Sequence, residues 1–433
     1  MLWKTLLKTY NSEKGYIRKR KWKALGSRLI FCLCRVFPIR PQLVSVCTFE
    51  GKGGFGCNPK YIVEELHRKN PEIKFVWLVN KNVYKEKVFP NYIKKVPNTL
   101  FSRAYWLTVS KVWIDNYRKP YGTIKRKGQY YLNTWHACEG FKAIGLLRGE
   151  KFSNMAYLVS KNDSDMIDLV TVDSCYLADM YRKGLIYSGN YLKVGQCRCD
   201  VLYGDRNIYR KEFRKRYNLP LSSHVVMFAP TFREINEHGK RRVFAEEISL
   251  DFRRVLTSLE KRFGGEWFWC VRTHPQLKID AKKIIKSNMQ DKIIDVSQVD
   301  DMYEILAAMD VFITDYSSTA FDAGLCRMPV FLYADDIKEF SKDRGGLLWN
   351  LSENTDGNVT INDQLTPGYS AILPYPIAKD NNELEERILA FNQTDYENKL
   401  NKMEYNLGIV FDGEASVKIA EHIIMKMEIG VKK

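Results

Sequence analysis

The chain is poor in several features that would settle its class at once. No pair among its ten cysteines has the C-x-x-C spacing of a zinc or dithiol site; the near approaches, Cys32/Cys34 and Cys197/Cys199, are C-x-C pairs. Reduced thiols, as in the cytosol, are therefore expected rather than a secreted disulfide framework. No run approaches 18 apolar residues, so no membrane-spanning helix is expected, and the short Leu29–Cys34 run ends at Arg35 without forming a signal-peptide core. Only six histidines occur. Acidic residues are almost missing from the first 41 positions, where Glu13 alone faces eleven Lys and Arg. The glycine-rich stretch Gly51-Lys52-Gly53-Gly54-Phe55-Gly56 is out of register for G-x-G-x-x-G and lacks a P-loop ending, so as a nucleotide motif it is weak.

What is present points to a globular protein with anionic partners. The chain has 433 residues, 45% of them hydrophobic and 27% charged, which suits two domains rather than one core. Its net charge of +17 implies phosphorylated substrates, nucleic acid or anionic lipid. Residues 1–41 read as a basic amphipathic segment, with Trp3, Leu6, Leu7, Trp22, Leu25, Leu29, Ile30 and Leu33 at roughly helical spacing. Such a segment suits an anionic membrane surface, or a helix docked on the main body. The cations do not interleave with a recognisable nucleic-acid module, so no nucleic-acid partner is expected.

From Leu43 onward apolar strands alternate with helical patterns. The first series has strands at Leu43–Phe49, Phe75–Val79, Val112–Asp115, Tyr130–Trp135, Asp168–Val172 and Tyr191–Val194. After a polar, basic stretch near Gly204–Pro220, a second series has His224–Ala229, Trp267–Val271, Ile293–Val296, Val311–Thr314 and Val330–Tyr333. Helices are expected at Glu247–Arg262, Met302–Met309, Ser318–Cys326, Asn382–Phe391 and Gly413–Lys426. The expectation is an α/β chain of two doubly wound domains facing across a cleft, over residues 42–205 and 206–433, the latter with the C-terminal helix.

Candidate chemistry sits at strand ends. Asp315-Tyr316-Ser317-Ser318-Thr319 follows Val311–Thr314 and opens a helix, where free N–H groups and three hydroxyls suit a phosphate; plain capping by Ser317 or Ser318 is the alternative. Asp322, one turn on, is a candidate for a ribose hydroxyl. Arg272 and His274, before Pro275, share a face of an extended segment. Thr231 and Arg233 close another strand as oxyanion candidates. His136 ends Tyr130–Trp135, with Glu139 three residues on as a carboxylate that could orient the imidazole. Gly54 is read as part of a flexible cleft loop, and Asn58 as a helix cap before Pro59.

These residues carry a resemblance. The chain resembles the CDP-glycerol glycerophosphotransferase family of bacterial teichoic acid and capsule polymer enzymes over roughly residues 43–425. The matching residues include Gly54–Leu66, Asp115-Asn116, Thr134-Trp135-His136, Lys142-Ala143-Ile144-Gly145, Arg198 with Asp200, Ala229–Arg233, Arg272–Pro275, Ile313–Ser318, Phe321-Asp322 and Arg344-Gly345. The family usually reads W-H-G-T-P where this chain has Trp135-His136-Ala137-Cys138-Glu139, and P-R-N-D where it has Cys197-Arg198-Cys199-Asp200. The first departure puts the acceptor's identity in doubt and weakens the role given to Glu139.

The resemblance implies a GT-B-type fold of two Rossmann-like domains, a CDP-glycerol or CDP-ribitol donor, and a polyprenyl-linked or polymer acceptor at the cytoplasmic face of the membrane. It implies transfer of an alditol phosphate with release of CMP. His136 would be the base, and Arg272, His274, Ser317, Ser318 and Thr319 would hold the donor phosphates. No carboxylate cluster in the sequence calls for a metal, and no cofactor is expected. A nucleotide-sugar glycosyltransferase on the same scaffold is the alternative.

Overall fold

Two separate parallel sheets organise the chain. The computed structural model describes residues 2–231, 233–237, 240–244, 249–273, 289–344, 347–351 and 359–428. The first sheet contains β1 (Arg40–Cys47), β2 (Lys74–Val79), β3 (Ile93–Pro97), β4 (Ser110–Asp115), β5 (Tyr130–Asn133), β6 (Leu169–Val172) and β7 (Asn190–Lys193). Its strand order is β3-β2-β1-β4-β5-β6-β7 and every pairing is parallel.

The second sheet contains β8 (His224–Phe228), β11 (Trp267–Val271), β12 (Ile293–Asp295), β13 (Val311–Thr314), β14 (Val330–Tyr333) and β15 (Ile377–Ala378). Its order is β12-β11-β8-β13-β14-β15, again all parallel. A hairpin of β9 (Arg233–Glu237) and β10 (Lys240–Phe244) lies between β8 and β11 in sequence and joins neither sheet.

Both sheets have the doubly wound order, in which the chain works outward from a first strand and then returns to that strand's other side. Continuous apolar runs make this possible. Trp267–Val271, Val311–Thr314 and Val330–Tyr333 are buried at every residue, as strands covered by helices on both faces must be. The order places switch points between β1 and β4 and between β8 and β13. The carboxyl ends of those strands form the facing walls of a cleft.

The long helix α1 (Leu2–Leu33) precedes the first sheet. Ala24, Ser27 and Phe31 are its buried positions from residue 13 onward, and Phe31 packs with Ala104 and Leu107 of the helix Leu100–Val109. A Cβ at Gly122 would lie 2.8 Å from the Cα of Ala24, so a glycine there lets the helix approach closely. Trp22, Leu25, Leu29 and Leu33 remain 53–69% exposed on the opposite side.

The helix Ala415–Glu428 departs from sequence order. It falls within the second stretch of the chain, yet it packs on the first lobe, against α2 (Cys57–Lys69). Lys69 pairs with Glu421 at 2.8 Å, and the Tyr130 hydroxyl lies 2.7 Å from His422 Nε2. The chain returns through Val410, whose N–H donates to the Asp173 carbonyl at 2.7 Å. An apolar stripe of Ala415, Ile419, Ala420 and Ile423 is buried by this return. None of the described helices is long and apolar enough to cross a membrane.

Candidate active site

His136 lies just past β5, where the backbone turns sharply. Trp135 adopts φ +50, a left-handed conformation that costs an indole-bearing residue about 1 kcal/mol or more. Local bonds hold it: the Trp135 N–H donates to Asn133 Oδ1 at 2.7 Å, and Thr134 Oγ1 donates to the Trp135 carbonyl at 2.9 Å. The turn brings the imidazole among aromatic rings. Tyr117 stacks on both Trp135 and His136, and Phe49 meets His136 edge-on at 5.3 Å.

One hydrogen bond sets the chemistry of that ring. His136 Nδ1 is 2.7 Å from the main-chain oxygen of Asn116. A carbonyl can only accept, so Nδ1 carries the proton and Nε2 holds the free lone pair. Burial of the imidazole lowers its pKa to about 4; the Asn116 carbonyl opposes this, while Arg198 and Arg118 add to it. At neutral pH the ring is uncharged and basic at Nε2.

Across the cleft stand Tyr316, Ser317 and Ser318. With His136, Glu139 and Lys142 they line part of a cavity of about 250 Å³, whose remaining wall is largely apolar. Ser317 receives the N–H of Thr319 at 3.3 Å and donates to Thr319 Oγ1 at 3.1 Å, so it braces the start of the helix Thr319–Leu325. Thr319 is buried. Asp315 accepts from the Thr231 N–H at 2.8 Å, from the Thr231 hydroxyl, and from the Tyr316 N–H at 2.6 Å. Asp315 and Thr231 therefore tie the β8 loop to the β13 loop. The side chain of Arg233 in β9, and all of His274, lie outside the described residues.

The structure departs from the expectations at five residues. Glu139 does not orient His136: the chain beyond His136 is an irregular loop that carries the carboxyl into the core beside Asp173. Burial and the Asp173 charge hold Glu139 well above the ordinary carboxylate range. Asp322 does not face the cleft. It is 1% exposed and accepts from Arg198 Nη2 at 3.1 and 3.3 Å and from the Tyr303 hydroxyl at 2.7 Å.

Asn58 does not cap a helix, because α2 already begins at Cys57; instead it accepts from the Arg198 N–H at 3.0 Å and donates to Gln196 at 2.9 Å. Gly54 is a contact point between lobes, since a Cβ there would run into the Asp300 carboxylate. Arg272 directs Nη1 to the carbonyls of Val296 and Val299 at 3.0 and 2.8 Å, rather than into open space.

Further bonds hold the lobes together around the cleft. Lys60 reaches Asp301 at 2.6 Å and Glu304 at 2.5 Å, and Lys87 reaches Asp300 at 2.6 Å. At the cavity's edge, Cys138 Sγ donates to the Ser318 carbonyl at 3.0 Å, and Trp349 Nε1 donates to the Gly140 carbonyl at 3.1 Å. Sequence reasoning gave no role to Asn116, Tyr117, Phe49 or Arg198. The strand-end rule that found His136 extends to the first three, which follow β4 and β1.

Comparison with known proteins agrees with this architecture. Residues 29–366 match the family model described as CDP-Glycerol:Poly(glycerophosphate) glycerophosphotransferase. The chain is 27% identical over 426 residues to a teichoic acid poly(glycerol phosphate) polymerase of Staphylococcus epidermidis, covering 96% of this chain and 55% of that protein. It is 25% identical over 405 residues to the protein of the same name in Bacillus subtilis, covering 88% and 48%. It thus spans about half the length of these relatives. The solved structure of the wall teichoic acid polymerase TagF superposes with a TM-score of 0.75 at 23% identity, over 96% of this chain and 98% of that one, and shares the GT-B-type fold.

Proposed function

The chain belongs to the CDP-glycerol:poly(glycerophosphate) glycerophosphotransferase family, and on that premise we propose that it moves glycerol phosphate or ribitol phosphate from a CDP-alditol to an acceptor hydroxyl. The acceptor hydroxyl loses its proton to His136 Nε2 and its oxygen attacks the alditol-bearing phosphorus. The bond from that phosphorus to the bridging oxygen breaks, and CMP leaves with the electron pair. The observation that carries this reading is the Asn116 carbonyl on Nδ1, which leaves a neutral ring basic at Nε2 in a residue that lines the same cavity as Ser317 and Ser318.

In this proposal Ser317, Ser318 and the main-chain N–H groups around Thr319 meet the donor phosphates. His274 joins them on the sequence argument, while Arg272 braces the strand end through the Val296 and Val299 carbonyls. Positioning and charge neutralisation supply most of the rate in phosphoryl transfer, and CMP leaves without a strong general acid. Transfer without a metal is part of the proposal; undiminished turnover in excess chelator is the expected result. The acceptor is a polyprenyl-linked or polymer chain, as the poly(glycerol phosphate) names of the relatives suggest.

The exposed stripe of α1 supports docking on an anionic membrane. Trp22, Leu25, Leu29 and Leu33 present apolar surface, flanked by Lys21, Lys23, Arg28 and Arg35, all exposed. Such a helix lies in the headgroup region, and each cation near the surface adds about 1 kcal/mol.

The deciding experiment measures nucleotide release with a lipid-linked acceptor, CMP from CDP-glycerol or CDP-ribitol and the nucleoside diphosphate from common nucleotide sugars, and identifies products by mass. Release from a CDP-alditol, lost in His136→Ala, is expected. Release only from nucleotide sugars would establish the glycosyltransferase reading. Near-normal turnover in His136→Ala with loss in His274→Ala would move the base to His274.

A further inference from the structure

Several cations withdrawn from water around the first sheet have acidic partners, and Arg103, which has none among the described residues, still donates to Asn98 Oδ1 at 3.0 Å. Lys119 pairs with Asp115, Lys125 with Asp168, Lys60 with Asp301 and Glu304, and Arg198 with Asp322. Such pairing is the rule, because an isolated buried charge is costly. Arg118 breaks it. It is partly buried on the loop after β4, and among the described residues its guanidinium has neither a hydrogen-bond nor an ion-pair partner.

Aromatic rings hold Arg118 in place. Its Cζ lies 5.3 Å from the centre of Trp135 and 5.7 Å from that of Phe152. Stacking occupies the faces of a guanidinium and leaves its N–H edge free to bind an anion. The acids whose charge reaches Arg118 are committed elsewhere. Asp163 Oδ1 accepts from the Lys119 N–H at 3.0 Å and from the Tyr131 hydroxyl at 3.1 Å, and Glu50 pairs with Lys52. Arg148, on the turn Gly145–Lys151, adds a second positive charge, and it too lacks a partner among the described residues.

The position of Arg118 relative to His136 gives it a use. Trp135, which carries the guanidinium, lies 4.7 Å from the His136 ring, and Tyr117 stacks on both rings. The free guanidinium and the basic nitrogen are thus held one indole apart by a single aromatic stack. A ligand with an anionic group close to a hydroxyl could engage both.

We propose that Arg118, with Arg148, forms an anion subsite on the first lobe that receives a phosphate of the acceptor, so that a hydroxyl of the neighbouring alditol meets His136 Nε2. The proposal rests on the transferase reading and narrows its acceptor to one whose last alditol adjoins a phosphodiester. A guanidinium fork matches two phosphate oxygens, where an ammonium offers only a point charge.

The test uses the full chain and glycerophosphoglycerol, the shortest such diester, titrated calorimetrically without donor. Arg118→Gln should weaken its binding about ten-fold and leave CDP-glycerol binding unchanged. Arg118→Lys should recover part of the loss, and Arg148→Gln, on an accessible turn, should give a smaller loss without risk to folding. In turnover, Arg118→Gln should raise KM for a diester-ended acceptor but not for a phosphate-free one, with kcat retained. Binding to phosphatidylglycerol vesicles should not change, which separates an acceptor phosphate from a lipid headgroup.

Unchanged diester binding in both Arg118→Gln and Arg148→Gln would overturn the subsite, as would equal weakening of CDP-glycerol and diester. Loss of vesicle binding in Arg118→Gln would assign the site to lipid instead and overturn the acceptor role. Arg118-dependent diester binding in a chain that releases no CMP from any CDP-alditol would refute the transferase reading and leave the anion subsite standing.

Discussion

His136 Nδ1 lies 2.7 Å from the Asn116 carbonyl oxygen, and that contact decides which nitrogen of the ring can take a proton. Asn116 is itself fixed, because its Oδ1 accepts the Phe49 N–H at 2.8 Å. The imidazole is therefore oriented by the loops after β1 and β4 together.

A pH profile follows. With its pKa lowered to about 4, the ring stays in its basic form well below the ordinary histidine value of about 6.5. The acid limb of kcat/KM should fall below that value, and His136→Ala should lose about 10²- to 10⁴-fold in kcat. The same shift acts on stability. As pH falls below about 6.5 the unfolded chain protonates this ring while the folded chain resists until about 4, so folding free energy drops through that window. Denaturation midpoints of His136→Gln should decline less over the same range.

Asp322 is a structural partner of Arg198, and its replacement should show that. Removing one member of a buried pair costs about 3–5 kcal/mol, since the other charge is left uncompensated. Asp322→Ala should lower the denaturant midpoint sharply, while the folded fraction keeps its KM for the CDP-alditol. A selective rise in that KM with unchanged stability would return Asp322 to the donor site.

Glu139 and Asp173 form a buried carboxyl pair in which burial raises both pKa values. A carboxyl whose folded pKa is raised stabilises the fold below its unfolded value and loses that contribution as pH rises. The pair should therefore withdraw its contribution to the wild-type melting temperature as pH rises above the ordinary glutamate value of about 4.3. Glu139→Gln, which cannot ionise, should flatten that loss.

Membrane docking through α1 can be isolated from folding. Trp22 and Leu29 are 69% and 62% exposed, so Trp22→Glu with Leu29→Glu should leave the melting temperature within a degree or so. Co-flotation with anionic liposomes should drop several-fold. Undiminished flotation would remove α1 from the membrane contact.

The sequence was a good guide wherever burial on both faces left one option. β11, β13 and β14 have the expected limits because each is an unbroken apolar run between turn residues. β3 is not legible in the sequence because Lys94 and Lys95 interrupt it and Pro97 ends it, as an edge strand allows. The helix Gln393–Leu407 is not legible in the sequence because its buried positions, Tyr396, Leu400, Met403 and Leu407, are sparse among polar residues.

In the site, strand ends were legible and side-chain directions were not. The expectation for Glu139 assumed a helical turn after His136, and the chain makes none. The expectation for Asp322 had the right helix, but spacing along a helix does not say which face meets the cleft and which meets Arg198. Arg198 could not be given its role from sequence, because its partner lies 124 residues away.

The return of the helix Ala415–Glu428 to the first lobe has a consequence for assembly. The face of α2 that it covers belongs to an early part of the chain, yet its cover is made after every strand of the second sheet. The first lobe to emerge from the ribosome is thus the last to be finished. Until then its partly covered surface near α2 must be kept from other partners, while the second lobe can close on its own strands.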